Sequence, residues 1–366
     1  MERDGLAANG ETPTAYSVMV HEIIHSLGLE HPDNPNYSIP DTVHNWEHTV
    51  LSDEYSHDAS FLLNGIEYGV SSTPMPWDIS GLQYLYGANQ TTNSGDTIYT
   101  FDSLKPFYRT IWDAGGADTF NFEDFDNGIS VNIRGGELSI LSFDVDDSRW
   151  SNKQHGNLGV AFGCKIENVS LGSGNDYAIG NDYSNVLEGG EGEDTLKGAG
   201  GKDIIYGGLG DDDLRGSTHG DSIFGGSGSD TLHGGNGRDI LTGGSDGDFI
   251  YGGFGHNTFS DEKDGSVDRL YFKSDQFAEN WLYSRAGMNP NGQKVDIIKG
   301  LDQVDRLFVQ GVKTSDLTFR QVNNFAAPAG NFSGIGIYAN GFLEGLYTGG
   351  DLSAVQLQSM TIGAEV

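Results

Sequence analysis

The chain has 366 residues, of which 55 are glycine and 53 are acidic against only 20 basic, so that its formal charge is −33 at pH 7. Such an excess of carboxylates excludes nucleic acid and anionic membranes as natural partners, and it destabilises a compact fold unless cations neutralise it. Cys164 is the only cysteine, so no disulfide within the chain can stabilise the fold, and no apolar run is long enough to insert into a membrane.

Composition divides the chain into four predicted domains. Histidine and proline concentrate in residues 1–88, short alternating runs such as TIYTF and TFNF indicate strands in 89–167, a repeat occupies 168–260, and residues 261–366 return to a mixed composition. The amino-terminal letters MERDGLAANG lack the basic and then apolar layout of a secretory signal peptide. We therefore expect any export to use a route that does not read the amino terminus.

The segment VMVHEIIHSLGLEHPDN predicts a metal site on a short helix. Thr12-Pro13 is a favourable helix start, because a hydroxyl can cap the first turn and proline is preset for it. His21 and His25 are four residues apart and therefore lie on one face of that helix. Gly28 suits a left-handed helix end, after which the chain can return His31 to the same point.

Three neutral imidazoles that leave a fourth position open are the arrangement of a catalytic zinc site, whereas a structural zinc site closes all four positions. Such an ion makes bound water acidic and polarises a carbonyl group. Glu22, next to the first histidine, would take a proton from that water and pass it to the leaving amine. The full spacing H-E-x-x-H-x-x-G-x-x-H-P favours this interpretation over a chance cluster of histidines, because the glycine and the third histidine each meet a geometric need.

Other side chains of residues 1–88 have structural interpretations. Apolar residues on several sides of the same helix predict that it is buried: Met19, Val20, Ile23, Ile24 and Leu27. His44 and His48 are also four residues apart, but their polar surroundings in HNWEH favour an exposed segment over a second metal site. Tyr84 and Tyr86, at near-helical spacing, favour core packing.

Residues 168–260 repeat with a period of nine, in the pattern G-G-x-G-x-D-x-U-x, where U is apolar. The acidic position is occupied by Asp176, Asp194, Asp203, Asp212, Asp221, Asp230, Asp239 and Asp248, with Asn185 and Asn257 in the same register. The apolar position is occupied by Leu187, Leu196, Ile205, Leu214, Ile223, Leu232, Leu241, Ile250 and Phe259. A strand with one apolar residue in nine cannot bury a core alone, so successive turns must stack.

Stacked turns would also bind calcium, because they offer backbone carbonyls and one aspartate each, which are the hard oxygen ligands that this ion takes. The predicted calcium ligands in the repeats are Gly172, Gly174, Asp176, Gly190, Gly192, Asp194, Asp203, Gly208, Gly210, Asp212, Asp221, Gly226, Gly228, Asp230, Gly235, Gly237, Asp239 and Asp248. The alternative is a disordered glycine-rich linker, which the strict register disfavours. The units GSTHGD and GGSDGD depart from the pattern, and we expect weaker or absent ions there.

These motifs together resemble one family. HEIIHSLGLEHP resembles the metzincin zinc-peptidase motif, and the acidic nonapeptide repeat behind it is similar to the RTX β-roll of the serralysins, which are secreted bacterial metalloproteases. MPWDISGLQYLYGAN resembles the helix that closes the serralysin catalytic domain, and WDAGGADTFNF resembles the entry into its calcium-binding domain. The resemblance implies a further calcium site with these ligands: Asp113, Gly115, Gly116 and Asp118, joined by Asn93, Gly95 and Thr97.

The chain departs from that family in three places. The methionine turn beneath the zinc and the tyrosine that follows it align best with Leu51 and Asp53, although Tyr55 lies close by. Only about twenty residues precede the first zinc ligand, where the family has a large sheet, so we expect either a fragment of a longer product or a lost substrate cleft. The tail TIGAEV fits the family's secretion signal only in part.

The fold class predicted is an α+β zinc-peptidase remnant, then a mainly-β parallel β-roll, then a β-rich carboxyl-terminal cap. The resemblance implies a secreted, extracellular, monomeric zinc endopeptidase, with one catalytic Zn²⁺ and several structural Ca²⁺, that acts on protein or peptide substrates and leaves the cell through a type I secretion apparatus. The rival hypothesis is a catalytically inert calcium-binding protein with an incomplete protease domain. Intact Glu22 favours the enzyme, and the short segment before the zinc helix favours the rival.

Overall fold

The computed structural model describes residues 13–32, 48–51, 61–63, 66–68, 71, 73–145, 156–273, 295–327, 330–339 and 342–364. Contacts divide the chain into two compact units, Met1–Ile179 and Gly180–Val366. The finer division into four domains stays a prediction. No helix among the described residues is both long and apolar enough to cross a membrane.

The described residues of the first unit form two helices and ten short strands. The helices are α1 (Pro13–Ser26) and α2 (Pro76–Tyr86), and the strands are β1 (Phe61–Leu63), β2 (Ile66–Tyr68), β3 (Ile98–Thr100), β4 (Arg109–Ile111), β5 (Thr119–Asn121), β6 (Ser130–Asn132), β7 (Leu138–Ser139), β8 (Leu158–Val160), β9 (Asn168–Ser170) and β10 (Tyr177–Ile179). The strands predicted at TIYTF and TFNF are therefore present as β3 and β5.

Parallel pairing dominates this unit. Strands β3, β5 and β9 pair in parallel, as do β6 with β10 and β4 with β8, whereas β1 with β2 and β7 with β8 are antiparallel. The core between them is aromatic, and its rings are buried: Phe101, Phe107, Phe120, Phe122, Phe125 and Phe143. This core supports the loops that carry the acidic residues described below.

In the part of the second unit that the structure describes, there are sixteen strands, one α-helix and a short 3-10 helix at Thr314–Asp316. They are β11 (Val186–Glu191), β12 (Thr195–Ala199), β13 (Ile204–Leu209), β14 (Asp213–Thr218), β15 (Ser222–Ser227), β16 (Thr231–Gly237), β17 (Ile240–Ser245), β18 (Phe249–Gly255), β19 (Thr258–Ser260), β20 (Arg269–Lys273), β21 (Asp296–Ile298), β22 (Arg306–Gln310), β23 (Leu317–Ala327), β24 (Gly330–Ala339), β25 (Phe342–Tyr347), α3 (Ala354–Met360) and β26 (Thr361–Ala364).

Successive repeat strands alternate between two parallel sheets. Strands β11, β13, β15, β17, β19 and β21 form one sheet and β12, β14, β16, β18, β20 and β22 form the other. From β11 to β19 and from β12 to β18, paired residues are 18 positions apart, such as Leu187 with Ile205. Every residue at the apolar position of the repeat, from Leu187 to Phe259, is fully buried, because strand alternation turns its side chain toward the space between the sheets. The predicted β-roll is confirmed.

The carboxyl-terminal residues extend both sheets. Strand β25 pairs in parallel with β21 and continues the first sheet, and β24 and β23 follow it through antiparallel pairs. Strand β26 pairs in parallel with β22 on the second sheet. Helix α3 begins with a capping box in which the Ser353 hydroxyl accepts the backbone N–H of Gln356 at 3.3 Å. The predicted fold class, with its β-rich cap, is confirmed.

Candidate zinc and calcium sites

Helix α1 positions the first two histidines as its sequence predicts. It begins at Pro13 and ends at Ser26, and Gly28 then takes a left-handed conformation with φ +96°. The Gly28 N–H donates to the carbonyl of His25 at 3.0 Å, which closes the helix and lets the chain turn back. His31 arrives beside the other two rings by this turn.

The three imidazole rings meet at one point. Nε2 of His25 lies 3.0 Å from Nε2 of His21 and 2.9 Å from Nε2 of His31. On the far sides of the rings, Nδ1 of His21 lies 2.8 Å from the Val50 carbonyl oxygen, and Nδ1 of His25 lies 2.9 Å from that of Leu29. Carbonyls only accept hydrogen bonds, so each of these Nδ1 atoms carries the proton and each Nε2 presents a lone pair.

These residues fit a zinc ion. Nitrogen ligands of tetrahedral zinc, at about 2.0–2.1 Å from the metal, are roughly 3.3 Å apart, close to the separations here. Lone pairs that face each other at 3.0 Å repel unless a cation lies between them. Among the described residues, these histidines also form one of two groups whose side chains could hold a metal ion.

Glu22 lies on α1 next to the first ligand and is exposed to solvent. It lies three positions before His25, so it borders the ligand face of the helix. Its proximity to the bound ion and its catalytic role stay predictions.

The prediction that α1 is buried on several sides is wrong for three residues. Val20 and Ile24 are buried and pack with Leu51, but Met19, Ile23 and Leu27 are 46%, 49% and 38% exposed. The reason is that Leu29, Val50 and Leu51 pack against Val20 and Ile24, and this cluster does not include Met19, Ile23 or Leu27.

Leu51 occupies the position where the family has methionine, and it is only 2% exposed beneath α1. It supplies the same apolar support as methionine would, since volume and polarity are similar. Asp53 and Tyr55 lie outside the described residues. His44 also lies outside them, whereas the His48 carbonyl accepts the backbone N–H of Trp77 at 3.1 Å.

Asp78 on α2 holds the segment that orients His21, and sequence reasoning missed it. Its Oδ2 accepts the N–H of Val50 at 2.9 Å and that of Met75 at 2.8 Å, and its Oδ1 accepts the Thr49 hydroxyl. Burial raises the pKa of Asp78 to about 6, against the lowering effect of these bonds and of nearby His21. Its position in the first turn of α2, three residues after Met75, was the available signal, because acceptors there bind free N–H groups.

A cavity of about 370 Å³ is lined in part by Glu30 and Pro32, which flank His31 in the chain. Leu29, Pro32, Leu51 and Trp77 form part of its lining, which is mostly apolar. The prediction that Tyr84 and Tyr86 pack in the core is wrong, since they are 90% and 67% exposed. The Tyr86 hydroxyl instead donates to the Leu27 carbonyl at 2.8 Å, so the apolar turn of α2 lies along the surface.

In the β-roll, six of the repeat aspartates use one carboxylate oxygen inside the protein and leave the other without a partner among the described residues. The Oδ1 atom of each accepts the backbone N–H of the residue 18 positions earlier at 2.8–3.0 Å. No described residue donates to the buried Oδ2 atom. The six residues are Asp203, Asp212, Asp221, Asp230, Asp239 and Asp248. A side chain at Gly207 would come within 2.2 Å of Asp212 Oδ2, so glycine keeps that space open. Buried oxygens of this kind fit calcium.

Burial also shifts the ionisation of these carboxylates. It raises the pKa of Asp203 and Asp239 to about 6, that of Asp212, Asp221 and Asp230 to about 7 and that of Asp248 to about 8, and neighbouring carboxylates add to the effect for Asp212, Asp221 and Asp248. Ionised oxygens that are buried without a cation are unfavourable. A divalent ion would therefore stabilise the folded roll.

Two further aspartates join this row although they lie outside the nine-residue register. Carboxylate oxygens of Asp248, Asp261 and Asp268 lie within 4.8 Å of one another, all three residues are buried, and this is the other group that could hold a metal ion. The register is lost after Asn257, because longer loops separate the next strands. The backbone bonding nevertheless continues, since Asp268 Oδ1 accepts the Asp248 N–H at 2.9 Å.

The first unit contains the acidic site implied by the resemblance. Asp118 Oδ1 accepts the Thr97 N–H at 2.9 Å, and the Asp118 N–H donates to Glu167 Oε2 at 2.9 Å. Burial, with the nearby charges of Asp113 and Glu167, raises the pKa of Asp118 to about 6. Glu167 was missed in the sequence, because it lies 49 residues from Asp118 and only the pairing of β5 with β9 brings it near.

The glycines of this site are required by geometry. Gly116 has φ +149°, and a Cβ there would lie 2.6 Å from the carbonyl carbon and oxygen of Gly95. Asn93, which was expected as a ligand, donates its side-chain N–H to the Tyr99 hydroxyl at 2.9 Å, while that hydroxyl donates to Asp113 Oδ2 at 2.7 Å. Asn93 therefore orients Asp113 through Tyr99 in this structure.

Comparisons with known proteins agree with this arrangement. The family model of the RTX calcium-binding nonapeptide repeat (4 copies) matches residues 170–205, 179–214 and 224–259. Metalloprotease AprA of Pseudomonas entomophila (strain L48) is 37% identical over 192 residues, which are 46% of this chain and 37% of that protein. Serralysin C of Dickeya chrysanthemi is 38% identical over 179 residues, 43% of this chain and 35% of that protein. Serralysin of Proteus mirabilis is 36% identical over 191 residues, 46% of this chain and 36% of that protein. The match thus spans little more than a third of each relative.

Proposed function

We propose that this chain, which carries RTX calcium-binding repeats and is related to the serralysins, hydrolyses peptide bonds with a zinc ion held by His21, His25 and His31. The observation that carries the proposal is the meeting of three Nε2 atoms, with the rings of His21 and His25 oriented by backbone carbonyls. When bound, zinc would activate water and polarise the substrate carbonyl. No nucleic acid takes part.

The residues of the chain have separate tasks in this reaction. Glu22 accepts a proton on its carboxylate and passes it to the nitrogen of the leaving amine. The carbonyls of Val50 and Leu29 hold the rings of His21 and His25 in the required tautomer. The apolar cavity lined by Leu29, Leu51 and Trp77 suits an apolar side chain of the peptide substrate.

Calcium has a structural task in this proposal. The sites of the first unit and of the roll would bind ions outside the cell, where calcium is abundant, and so complete the fold after export. Export through a type I secretion apparatus and action as an extracellular monomer follow from the relationship to the serralysins.

The test compares wild-type protein with Glu22→Ala, in zinc and millimolar calcium, on an unfolded protein substrate. We expect cleavage by wild type, loss of at least 10³-fold in the variant, and the same zinc content in both by elemental analysis. Glu123→Ala, an exposed glutamate of the same unit, is the control. Cleavage that persists in the Glu22 variant contradicts the assigned role.

The second candidate function is calcium binding without turnover. It is favoured by the exposed apolar stripe of α1, formed by Met19, Ile23 and Leu27, because exposed apolar surface of this kind suits binding to another protein. In that case the wild-type protein binds both metals and cleaves no substrate.

A further inference from the structure

The two outer faces of the β-roll differ in charge. The sheet of β12, β14, β16, β18, β20 and β22 carries five basic side chains on its outer side: Lys197, Arg215, Arg269, Lys273 and Arg306. These are five of only 20 in the whole chain, whereas strands β11, β13, β15, β17 and β19 of the opposite sheet carry no basic residue. We call the first surface the basic face.

Three of these cations have no acidic partner among the described residues. Arg215 is paired with Asp213 at 2.7 Å. Arg269 instead lies over the Phe249 ring, 4.8 Å from its centroid, and Lys273 over the Phe254 ring at 3.9 Å. Arg306 donates to backbone carbonyls. Their charge is therefore available to a partner.

Aromatic rings form a continuous row between the cations. His233, Tyr251, Tyr271 and Phe308 stack in sequence, with centroids 4.6, 4.4 and 4.5 Å apart and ring planes within 13° of parallel. Because the faces are used in stacking, the ring edges line the surface, and those edges carry the positive part of the aromatic quadrupole. The row thus favours anions as the cations do.

We propose that the basic face binds an acidic polysaccharide. Guanidinium and ammonium groups bind carboxylates, and the phenol groups of Tyr251 and Tyr271 can bond with sugar hydroxyls. The face is broad, with strands about 4.8 Å apart, so it suits a chain that lies along it. A peptide cannot extend the sheet there, since β14, β16, β18 and β20 each have a neighbour on both sides.

Charge complementarity favours a thin polymer over an anionic membrane. The molecule carries a formal charge of −33, so a wide anionic surface would repel most of it. At physiological salt, a single polysaccharide chain on the basic face is screened from those carboxylates of the protein that lie more than about 8–10 Å away from it.

The experiment measures binding of hyaluronate, which carries a carboxylate on every second sugar, to full-length protein in millimolar calcium and 50 mM salt. We expect binding that weakens with salt and is absent for neutral dextran. R269E/R306E should weaken it by at least tenfold. K105E/K299E, which changes net charge equally at exposed sites elsewhere, should change it by less than about threefold.

Circular dichroism in a calcium titration checks that each variant folds, and K197E/K273E replaces the first variant if it does not. Equal losses in both double variants would overturn the proposal, because net charge alone would then explain binding. Binding of poly-L-glutamate or of phosphatidylglycerol vesicles in preference to hyaluronate would also overturn it, in favour of an acidic peptide or a membrane.

Discussion

Asp78 acts on the zinc ligands through one short segment of backbone, and a pair of substitutions tests this. Asp78→Ala removes the acceptor of the Val50 and Met75 N–H groups, so we expect a loss of about 2–4 kcal/mol in the free energy of unfolding and of about 10–100-fold in zinc affinity. In Asp78→Asn the amide oxygen can accept the same bonds and the amide N–H₂ can donate to the Thr49 hydroxyl, so the loss should be several-fold smaller. Thermal unfolding and zinc competition with a chelator measure both, with Asp124→Ala as an exposed control. Equal losses in the two variants would exclude the hydrogen-bonding role.

Residues close together in the sequence could be predicted, and those brought together by the fold could not. The convergence of His21, His25 and His31 could be predicted from the sequence, because it depends only on helix geometry and one turn. Asp78 reaches its partners 28 and 29 positions away, and Glu167 lies 49 positions from Asp118. Neither contact has a local pattern, because it depends on packing between elements.

At the scale of elements, the period of nine predicted the turns of the roll. These include turns in which a residue other than glycine occupies the left-handed backbone position. Ser217, His219 and Asp246 have φ of 85°, 78° and 78°, where neighbouring turns have glycine. The units that depart from the glycine pattern therefore keep the backbone shape of the others. The burial of α1 and α2 could not be predicted in the same way, because an apolar stripe in the sequence does not show which other element packs against it.

This backbone requirement predicts opposite effects at two stacked positions of the same sheet. Gly235 has φ +101°, and a Cβ there would lie 2.2 Å from the Ser217 carbonyl oxygen, so Gly235→Ala should destabilise the calcium-bound roll by about 1–3 kcal/mol. Ser217→Gly removes a non-glycine residue from a left-handed position and should be neutral or stabilise by up to about 1 kcal/mol. Urea unfolding at saturating calcium measures both. Stability unchanged in Gly235→Ala would contradict the backbone argument.

At the scale of the whole molecule, the negative charge and the buried carboxylates make folding depend on cations. The raised pKa values of the roll aspartates, about 6 to 8, are those of the protein without calcium. A carboxyl whose pKa is higher in the folded than in the unfolded chain stabilises the fold when protonated, and this stability is lost as pH rises through the folded pKa. Protons and calcium ions therefore replace each other in the roll.

Two opposite pH effects follow, and circular dichroism measures both. In chelator, residues 168–260 should be largely unstructured at pH 8 and should gain β signal toward pH 5.5, because protonation removes the repulsion between stacked turns. In a calcium titration, the midpoint concentration should be higher at pH 5.5 than at pH 8, because protons compete for the same Oδ2 atoms. Repeating the chelator series at 0.5 M KCl is the control for screening of surface charge. If screening were the cause, salt alone would produce the same gain in β signal. A complete β signal in chelator at pH 8 would show that the carboxylates tolerate burial without ions, and the coupling between calcium and folding would then be wrong.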